Sequence, residues 1–259
     1  MKEKKLPVVF LPCSGLGHIN RGYEAFTLQC FEQLKDSDLF KLILVKSYGV
    51  KSKNELSIGC IKRDSRFADI VYKYFKIRQY PLEQLSFCLN MLPSILKHKP
   101  SLIYYNDTAL GKTLWYIRKI FRFKYKLLLC NGAPKYPPYD VEDHIQQLLN
   151  LYVIKSIQNG VPSSKQTLLH LGFNIPPHPF FLTEIEKLTM RNELNLPKNK
   201  KIIISVGAVN EHHKRMHYVV KEFSFLDKEE YFLVILGNIG NESKPILDLA
   251  AALLPKNSY

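Results

Sequence analysis

The stretch LPCSGLGHINRGYE, residues 11–24, joins an apolar run to a helical pattern through a turn that contains two glycines. The run before the turn, 6–11, predicts a buried strand, and the spacing of apolar residues over 20–34 predicts a helix. A turn from a parallel strand into a helix directs backbone N–H groups and the positive helix end at whatever binds there. His18 adds a side chain that changes protonation near neutral pH, so the stretch predicts a binding site.

The alternation of strand-like and helix-like segments continues beyond this turn. Strands are predicted over 41–46, 57–61, 101–105 and 126–130, and helices over 82–97, 109–121 and 143–152. We expect Pro93 to bend or end the second of these helical segments, 82–97. Strands that alternate with helices predict an α/β fold in which helices cover a parallel sheet.

A second α/β pattern begins near residue 200. It comprises strands over 201–207 and 230–237, both ending in glycine, and helices over 213–223 and 244–254. Two strands alone make a poor sheet. The pattern therefore predicts one Rossmann-like domain over 1–180 and an incomplete second one over 181–259, as if the chain stopped inside a nucleotide-binding domain.

Composition narrows the class of protein. The chain has 259 residues and a net charge of +14, which indicates an anionic partner such as a nucleotide-linked substrate, an anionic lipid or a nucleic acid. Its five cysteines are scattered and odd in number, which is typical of reduced thiols rather than of disulfides or a zinc site. A charged start followed by a short apolar run does not match a signal peptide. These features predict a cytoplasmic protein.

The glycine turn does not match the dinucleotide fingerprint, because Gly15, Gly17 and Gly22 are wrongly spaced. The motif SGLGHIN resembles the first loop of GT-B glycosyltransferases, which faces the acceptor. In their inverting branch a His after the glycine is the general base, and an Asp after a later strand orients it. The resemblance gives these catalytic roles to His18 and Asp107. The first and fourth strands of such a sheet are neighbours, so the two side chains can meet; alternatively, Asp107 caps the following helix.

The stretch over 191–223 resembles the start of the donor domain of glycosyltransferase family 4. That family holds the donor diphosphate with an Arg after the strand glycine and a Lys six positions later. Lys214 matches the Lys, whereas Ala208 occupies the place of the Arg, for which Arg215 is a substitute. The resemblance implies that Gly207, Lys214 and Arg215 contact the donor. The alternative is that the two cations lie on a solvated helix face.

Together, the two resemblances imply transfer of a sugar from a nucleotide diphosphate sugar to a hydroxyl acceptor, either lipid-linked or a glycan. Gly15, Gly17 and Arg21 are expected beside the substrate, and Asn131, after the strand 126–130, is expected to bond a hydroxyl. We expect no metal cofactor, since Lys214 can offset the charge of the leaving diphosphate. The donor half resembles a retaining family and the His–Asp pair suits inversion, so the stereochemistry stays open.

Three alternatives remain open at this stage. Nothing after residue 237 supplies the Glu-containing motif of the family, so the chain is either a truncated enzyme or a non-catalytic subunit or remnant that binds a membrane or a partner. The segment 106–113 is close to a phosphate-binding P-loop, although Asn106 replaces its first glycine.

The segment 111–126 mixes basic and aromatic residues. It is either a helix lying on an anionic membrane, which would make the protein peripheral to that membrane, or a helix that covers the sheet. Nucleic acid is not an expected partner, because no recognised nucleic-acid motif accompanies the segment.

Overall fold

The computed structural model describes residues 6–133, 135–172, 181–212, 214–237, 239–240 and 242–259. The chain divides into two compact units, Met1–Ile175 and Pro176–Tyr259. The predicted domain boundary, after residue 180, lies at the end of a segment outside the described residues.

The first unit is built on a parallel sheet with seven strands among the described residues, in the order β3-β2-β1-β4-β5-β6-β7. The strands are β1 (Val8–Cys13), β2 (Lys41–Lys46), β3 (Glu55–Ser57), β4 (Leu102–Tyr105), β5 (Lys126–Cys130), β6 (His144–Gln147) and β7 (Gln166–Leu168). The helices are α1 (Gly22–Leu34), α2 (Arg66–Phe75), α3 (Gln79–His98), α4 (Thr108–Phe121) and α5 (Asn150–Gln158). This arrangement confirms the predicted α/β fold with helices around a parallel sheet.

Strand order reverses between β1 and β4. From β1 the chain moves outward through β2 and β3, and it then returns to place β4 on the other side of β1. Val9 and Phe10 of β1 pair with Leu102 and Ile103 of β4, as expected for the first and fourth strands. Such a switch point opens a crevice at the carboxyl ends of the two strands.

Apolar cores on both faces hold this sheet. Phe10 and Ile103 point to one face, where they join Phe87 of α3 and Leu114 of α4 in a buried cluster. Val9, Leu11, Leu42 and Leu44 point to the other face, where Phe31 of α1 packs on them. Because the central strands β1, β2, β4 and β5 are covered on both faces, their sequences are almost continuous apolar runs.

The second unit contains α6 (Glu184–Glu193), β8 (Lys201–Val206), α7 (Met216–Ser224), β9 (Tyr231–Leu236) and α8 (Lys244–Leu253). β8 and β9 pair in parallel along their whole length, from Lys201 with Tyr231 to Val206 with Leu236. Met216, Val220 and Phe223 of α7 join Leu233 and Ile246 in the core of this unit. Both predicted strands are present, each followed by the predicted helix.

Two predicted helices differ from the structure. The helix predicted over 143–152 is wrong, because these residues form β6 and the start of α5. α3 neither ends nor is divided at Pro93, which lies inside a helix that continues to His98.

Candidate functional site

A cavity of about 490 Å³ lies at the carboxyl ends of β1 and β4, where the strand order reverses. Its walls come from the ends of three strands, the start of α1 and residues on either side of α2. Residues lining it include Ser14, Arg21, Tyr23, Glu24, Arg63, Tyr80, Gln84, Asn106, Asp107, Cys130 and Gly132. The cavity therefore occupies the place where open α/β sheets bind their ligands.

The glycine turn is tightly packed beside this cavity. A Cβ atom at Gly15 would lie 1.9 Å from Oε1 of Glu24, which is itself buried. Gly17 has φ +94°, and a Cβ atom there would lie 2.2 Å from the carbonyl oxygen of Tyr48. Neither glycine is among the lining residues. The structure thus explains Gly17 by its backbone conformation and packing, and the predicted contact of both glycines with a substrate stays a prediction.

His18 lies behind the cavity wall rather than on it. Its side chain is buried, with Nε2 3.3 Å from Oε2 of Glu83 and its ring edge-on to Tyr48. Nδ1 is buried too and has no hydrogen-bond partner among the described residues. The expected pairing of His18 with Asp107 is wrong: the carboxylate beside the imidazole comes from Glu83 of α3.

Glu83 is the centre of a buried polar group that we call the Glu83 cluster: Ser14, His18, Arg63 and Glu83. Arg63 donates from Nε to Oε2 at 2.9 Å, from Nη2 to Oε1 at 2.5 Å and from its backbone N–H at 3.0 Å. Ser14 donates to Oε1 and accepts from Gln84. Burial alone would raise the pKa of Glu83, but the hydrogen bonds and charge of Arg63 outweigh it and lower that pKa. Glu83 therefore stays ionised and fixes the guanidinium against the cavity.

One set of potential metal ligands is present among the described residues. His18, Cys60 and Glu83 place their ligand atoms within 4.8 Å of one another. Both oxygens of Glu83 already accept from Arg63, and burial raises the pKa of Cys60, which disfavours the thiolate. This donor set does not suit a metal ion.

Asp107 lines the cavity and caps α4. Its Oδ1 accepts hydrogen bonds from the backbone N–H groups of Ala109 at 2.8 Å and Leu110 at 3.0 Å. Burial raises the pKa of Asp107, and this effect exceeds the opposing effect of the two helix N–H groups. The capping alternative is therefore confirmed, and the same carboxylate faces the cavity.

The P-loop alternative is wrong. α4 begins at Thr108, so Gly111 and Lys112 lie within a helix instead of a phosphate-binding loop. Gly111 is needed for packing, because a Cβ atom there would lie 2.2 Å from the ring of Tyr105.

Asn131 has its amide occupied within the protein. Nδ2 donates to Gln147 at 2.9 Å and to the carbonyl of Lys135 at 3.1 Å, and Oδ1 accepts from the Lys135 N–H at 2.8 Å. The side chain is buried and shapes the loop after β5. Gly132, rather than Asn131, lines the cavity. The expected hydrogen bond from Asn131 to a hydroxyl thus has no free donor in this arrangement.

Arg21 is the residue before α1 and lines the cavity, and its predicted contact with a substrate stays a prediction. The cavity also contains Arg63, Tyr80 and Gln84, which were not predicted. Arg63 precedes α2 and Tyr80 lies in the first turn of α3, and no motif surrounds either residue. Their contribution depends on how the chain returns from β3 to α3, which no local pattern in the sequence encodes.

In the second unit, Gly207 and Lys214 are brought together at the end of β8. Gly207 has φ +154°, and a Cβ atom there would lie 2.9 Å from Cγ of Lys214. The aliphatic part of the Lys214 side chain therefore packs against Gly207. A Cβ atom at Gly237 would lie 1.7 Å from the carbonyl oxygen of Gly207. Lys214 and Arg215 are both exposed, and Arg215 is the residue before α7. One small surface therefore contains the glycines that follow β8 and β9, the side chain of Lys214 and the start of α7.

No family model and no curated protein matches the sequence. Solved structures do match. A glycosyltransferase from Rickettsia africae is 15% identical over 99% of this chain and 67% of its own length, with a TM-score of 0.60. Sucrose-phosphate synthase from Thermosynechococcus elongatus is 14% identical over 96% of this chain and 68% of its own, with a TM-score of 0.66.

HepE from Anabaena, solved with UDP and glucose, is 11% identical over 95% of this chain and 65% of its own, with a TM-score of 0.59. The chain spans about two thirds of the length of these structures. Identities this low establish architecture alone. The chain has the α/β fold of GT-B glycosyltransferases, with Rossmann-like units.

Proposed function

We propose that this chain is a glycosyltransferase that binds a nucleotide diphosphate sugar and transfers the sugar to a hydroxyl acceptor. The observation that carries the proposal is a GT-B fold with a cavity at its switch point that Arg21, Arg63 and Asp107 line, and a glycine–lysine surface at the end of β8. HepE has been solved with UDP and with UDP-glucose, which supports a uridine nucleotide as the first donor to test.

For the donor, we propose that Lys214 and the backbone around Gly207 hold the diphosphate. Gly207 lacks a side chain, so an anion can approach the strand end closely. The ammonium group of Lys214 is a point charge that suits a diphosphate, and the start of α7 contributes partial positive charge. These features agree with the resemblance to family 4. Arg215 is the proposed second cation, since Ala208 occupies the place where that family has an arginine.

For the acceptor, we propose that the cavity beside β1 and β4 binds the substrate that carries the hydroxyl, either lipid-linked or a glycan. The hydroxyl oxygen forms the new bond to the anomeric carbon as the bond to the diphosphate breaks, and the hydroxyl proton needs an acceptor. We propose Asp107 for this role, and two observations support it: the residue lines the cavity, and burial raises its pKa. Arg63 and Arg21 orient the substrate, and His18 acts as a positioning residue through Glu83.

The test is a thermal-shift screen with UDP, GDP and their sugars, followed by a nucleotide-release assay with hydroxyl acceptors. We expect one nucleotide to raise the melting temperature, and its sugar to be consumed in the presence of an acceptor. Product stereochemistry, determined by NMR, then separates inversion from retention. A protein whose melting temperature is unchanged by every nucleotide at millimolar concentration is not a nucleotide-sugar transferase.

A second candidate is a non-catalytic subunit related to glycosyltransferases. It is favoured by the surface of β8 and β9, where Ile204, Val206 and Leu236 are exposed on the face turned away from the core of the unit. An apolar strand face of this kind commonly contacts another protein. Nucleotide binding without release of nucleotide in any acceptor mixture supports this candidate over the enzyme.

A further inference from the structure

α2 presents its apolar side to solvent. Phe67, Ile70 and Tyr74, at i, i+3 and i+7, lie on one face of the helix and are 56%, 52% and 70% exposed. Ala68 is the residue of α2 that is buried. A helix that covers a sheet normally directs its apolar face toward the core, so this orientation has a cost unless something covers the face.

The exposed apolar area continues past the end of the helix. Phe75, the last residue of α2, and Ile77, two residues later, are 72% and 44% exposed, and we call these two residues together with Phe67, Ile70 and Tyr74 the α2 surface. Five large apolar side chains are thus exposed within eleven residues of sequence, which is a concentration rather than scattered exposure. Exposed apolar patches mark interaction sites.

The α2 surface has a basic border. Between residues 62 and 78 the basic residues are Lys62, Arg63, Arg66, Lys73, Lys76 and Arg78, and the acidic residues are Asp64 and Asp69. Helices that lie in the interface of an anionic membrane typically have apolar and aromatic side chains bordered by Lys and Arg. A second copy of this chain would bring an identical positive border against this one, which opposes self-association through the same surface.

The α2 surface adjoins the acceptor cavity. Arg63 precedes α2 and Tyr80 follows it, and both line the cavity. Their side chains also contact each other, with the guanidinium 4.7 Å from the centre of the Tyr80 ring. A surface that docks here would therefore lie beside the entrance to the cavity.

The basic aromatic segment 111–126 is a weaker membrane surface. Residues 111–121 of this segment belong to α4, whose Leu110, Leu114 and Ile117 are buried in the core, so α4 covers the sheet. Its exposed apolar residues, Tyr116, Ile120 and Phe121, lie toward its C-terminal end. The cavity is at the opposite end of this helix, at Asp107.

We propose that the α2 surface docks the protein on an anionic membrane. The apolar side chains of the α2 surface enter the interface while Arg66, Lys73 and Lys76 meet anionic headgroups. Among the described residues, no helix is long and apolar enough to cross a bilayer, so docking of this kind is a surface association. The proposal is independent of the catalytic activity, because binding to lipid requires neither donor nor acceptor.

The test is co-sedimentation with vesicles of phosphatidylcholine alone or mixed with phosphatidylglycerol. We expect binding to the mixed vesicles, weakened by salt, and little binding to phosphatidylcholine. The triple variant Phe67→Ser, Ile70→Ser, Tyr74→Ser should lose at least tenfold in binding while its circular dichroism and melting temperature stay unchanged or rise. The matched control is Tyr116→Ser, Ile120→Ser, Phe121→Ser on α4, which should bind as wild type.

A fluorescence measurement locates the contact independently. Trp115, the single tryptophan, lies on α4, so its emission should not change on adding vesicles. Phe67→Trp in a Trp115→Phe background should shift to shorter wavelength. Equal vesicle binding by wild type and the α2 triple variant overturns the proposal. So does a concentration-dependent dimer that the α2 triple variant abolishes, without vesicle binding by either protein.

Discussion

At the scale of single residues, Glu83 has the most demanding environment near the cavity. Its carboxylate is fully buried, yet it accepts from the Arg63 side chain and backbone and from Ser14. A buried ion pair stabilises a protein weakly in net terms, but removal of one partner leaves the other uncompensated. Glu83 therefore matters because it holds Arg63 at the cavity.

The change Glu83→Gln should lower the free energy of unfolding by about 3 kcal/mol. This is the lower end of the cost of removing one partner of a buried ion pair, because Arg63 keeps part of its contact with solvent. Urea unfolding followed by circular dichroism measures the effect. The control Glu230→Gln breaks the exposed pair with Lys201 and should change little. Equal stability of the Glu83 variant and wild type would contradict the assignment of Glu83 as the residue that fixes Arg63.

The same carboxylate predicts a pH dependence. The pKa of Glu83 is lower in the folded protein than its ordinary value of 4.5, because Arg63 outweighs the effect of burial. Its contribution to stability is therefore complete above about pH 4.5 and is lost as the pH falls through the folded pKa. The stability difference between wild type and Glu83→Gln, measured by urea unfolding, should be constant from pH 7 to 5 and shrink below pH 4.5. A difference that grows toward acid pH would contradict this.

At the scale of elements, substitutions of Asp107 at the start of α4 separate its role as the helix cap from its proposed role as the proton acceptor. Asn preserves the cap that Asp107 provides to Ala109 and Leu110, whereas Ala removes it. Asp107→Ala should lower the free energy of unfolding by about 1 kcal/mol, and Asp107→Asn by much less.

Both Asp107 variants should lose sugar transfer by at least about tenfold if the carboxylate accepts the proton, since general base catalysis contributes on the order of a hundredfold or more. Nucleotide release in a coupled assay measures the rate. An Asn variant with wild-type transfer and wild-type stability would leave Asp107 as a cap alone.

Elements with continuous apolar runs could be predicted from the sequence, and β2 and β5 agree to the residue. β6 could not. Gln147 is fully buried, and its amide donates to Tyr139, Ser156 and Gln166. Gln146 is bound to Tyr104 of β4. Those partners are distant in sequence, so two glutamines that look exposed occupy the interior of a sheet.

The candidate site, too, could be predicted only in part from the sequence. The turn at residues 14–18 and the end of β4 could be located because strand ends meet at a switch point. The identity of the carboxylate beside His18 could not, because Glu83 belongs to α3 and is 65 residues away in sequence. α2 was not predicted either, although Phe67, Ile70 and Tyr74 have the spacing of an amphipathic helix and could have indicated it.

At the scale of the whole molecule, each unit has charged side chains at the carboxyl ends of its parallel strands. The first unit has the cavity beside β1 and β4, and the second has Gly207 beneath Lys214. Shared architecture with GT-B glycosyltransferases makes a nucleotide diphosphate the most informative ligand for the second surface. The central claim is that Lys214 binds this diphosphate.

Isothermal titration calorimetry of UDP and GDP into wild type, Lys214→Ala and Lys221→Ala tests that claim most directly. Lys221 is the matched control, because it is exposed on the last turn of α7, whereas Lys214 precedes the first. We predict that one nucleotide binds to wild type and to Lys221→Ala with equal affinity, and at least about tenfold more weakly, or about 1.4 kcal/mol, to Lys214→Ala. Equal affinity of all three proteins, or no heat with either nucleotide at millimolar concentration, would contradict it.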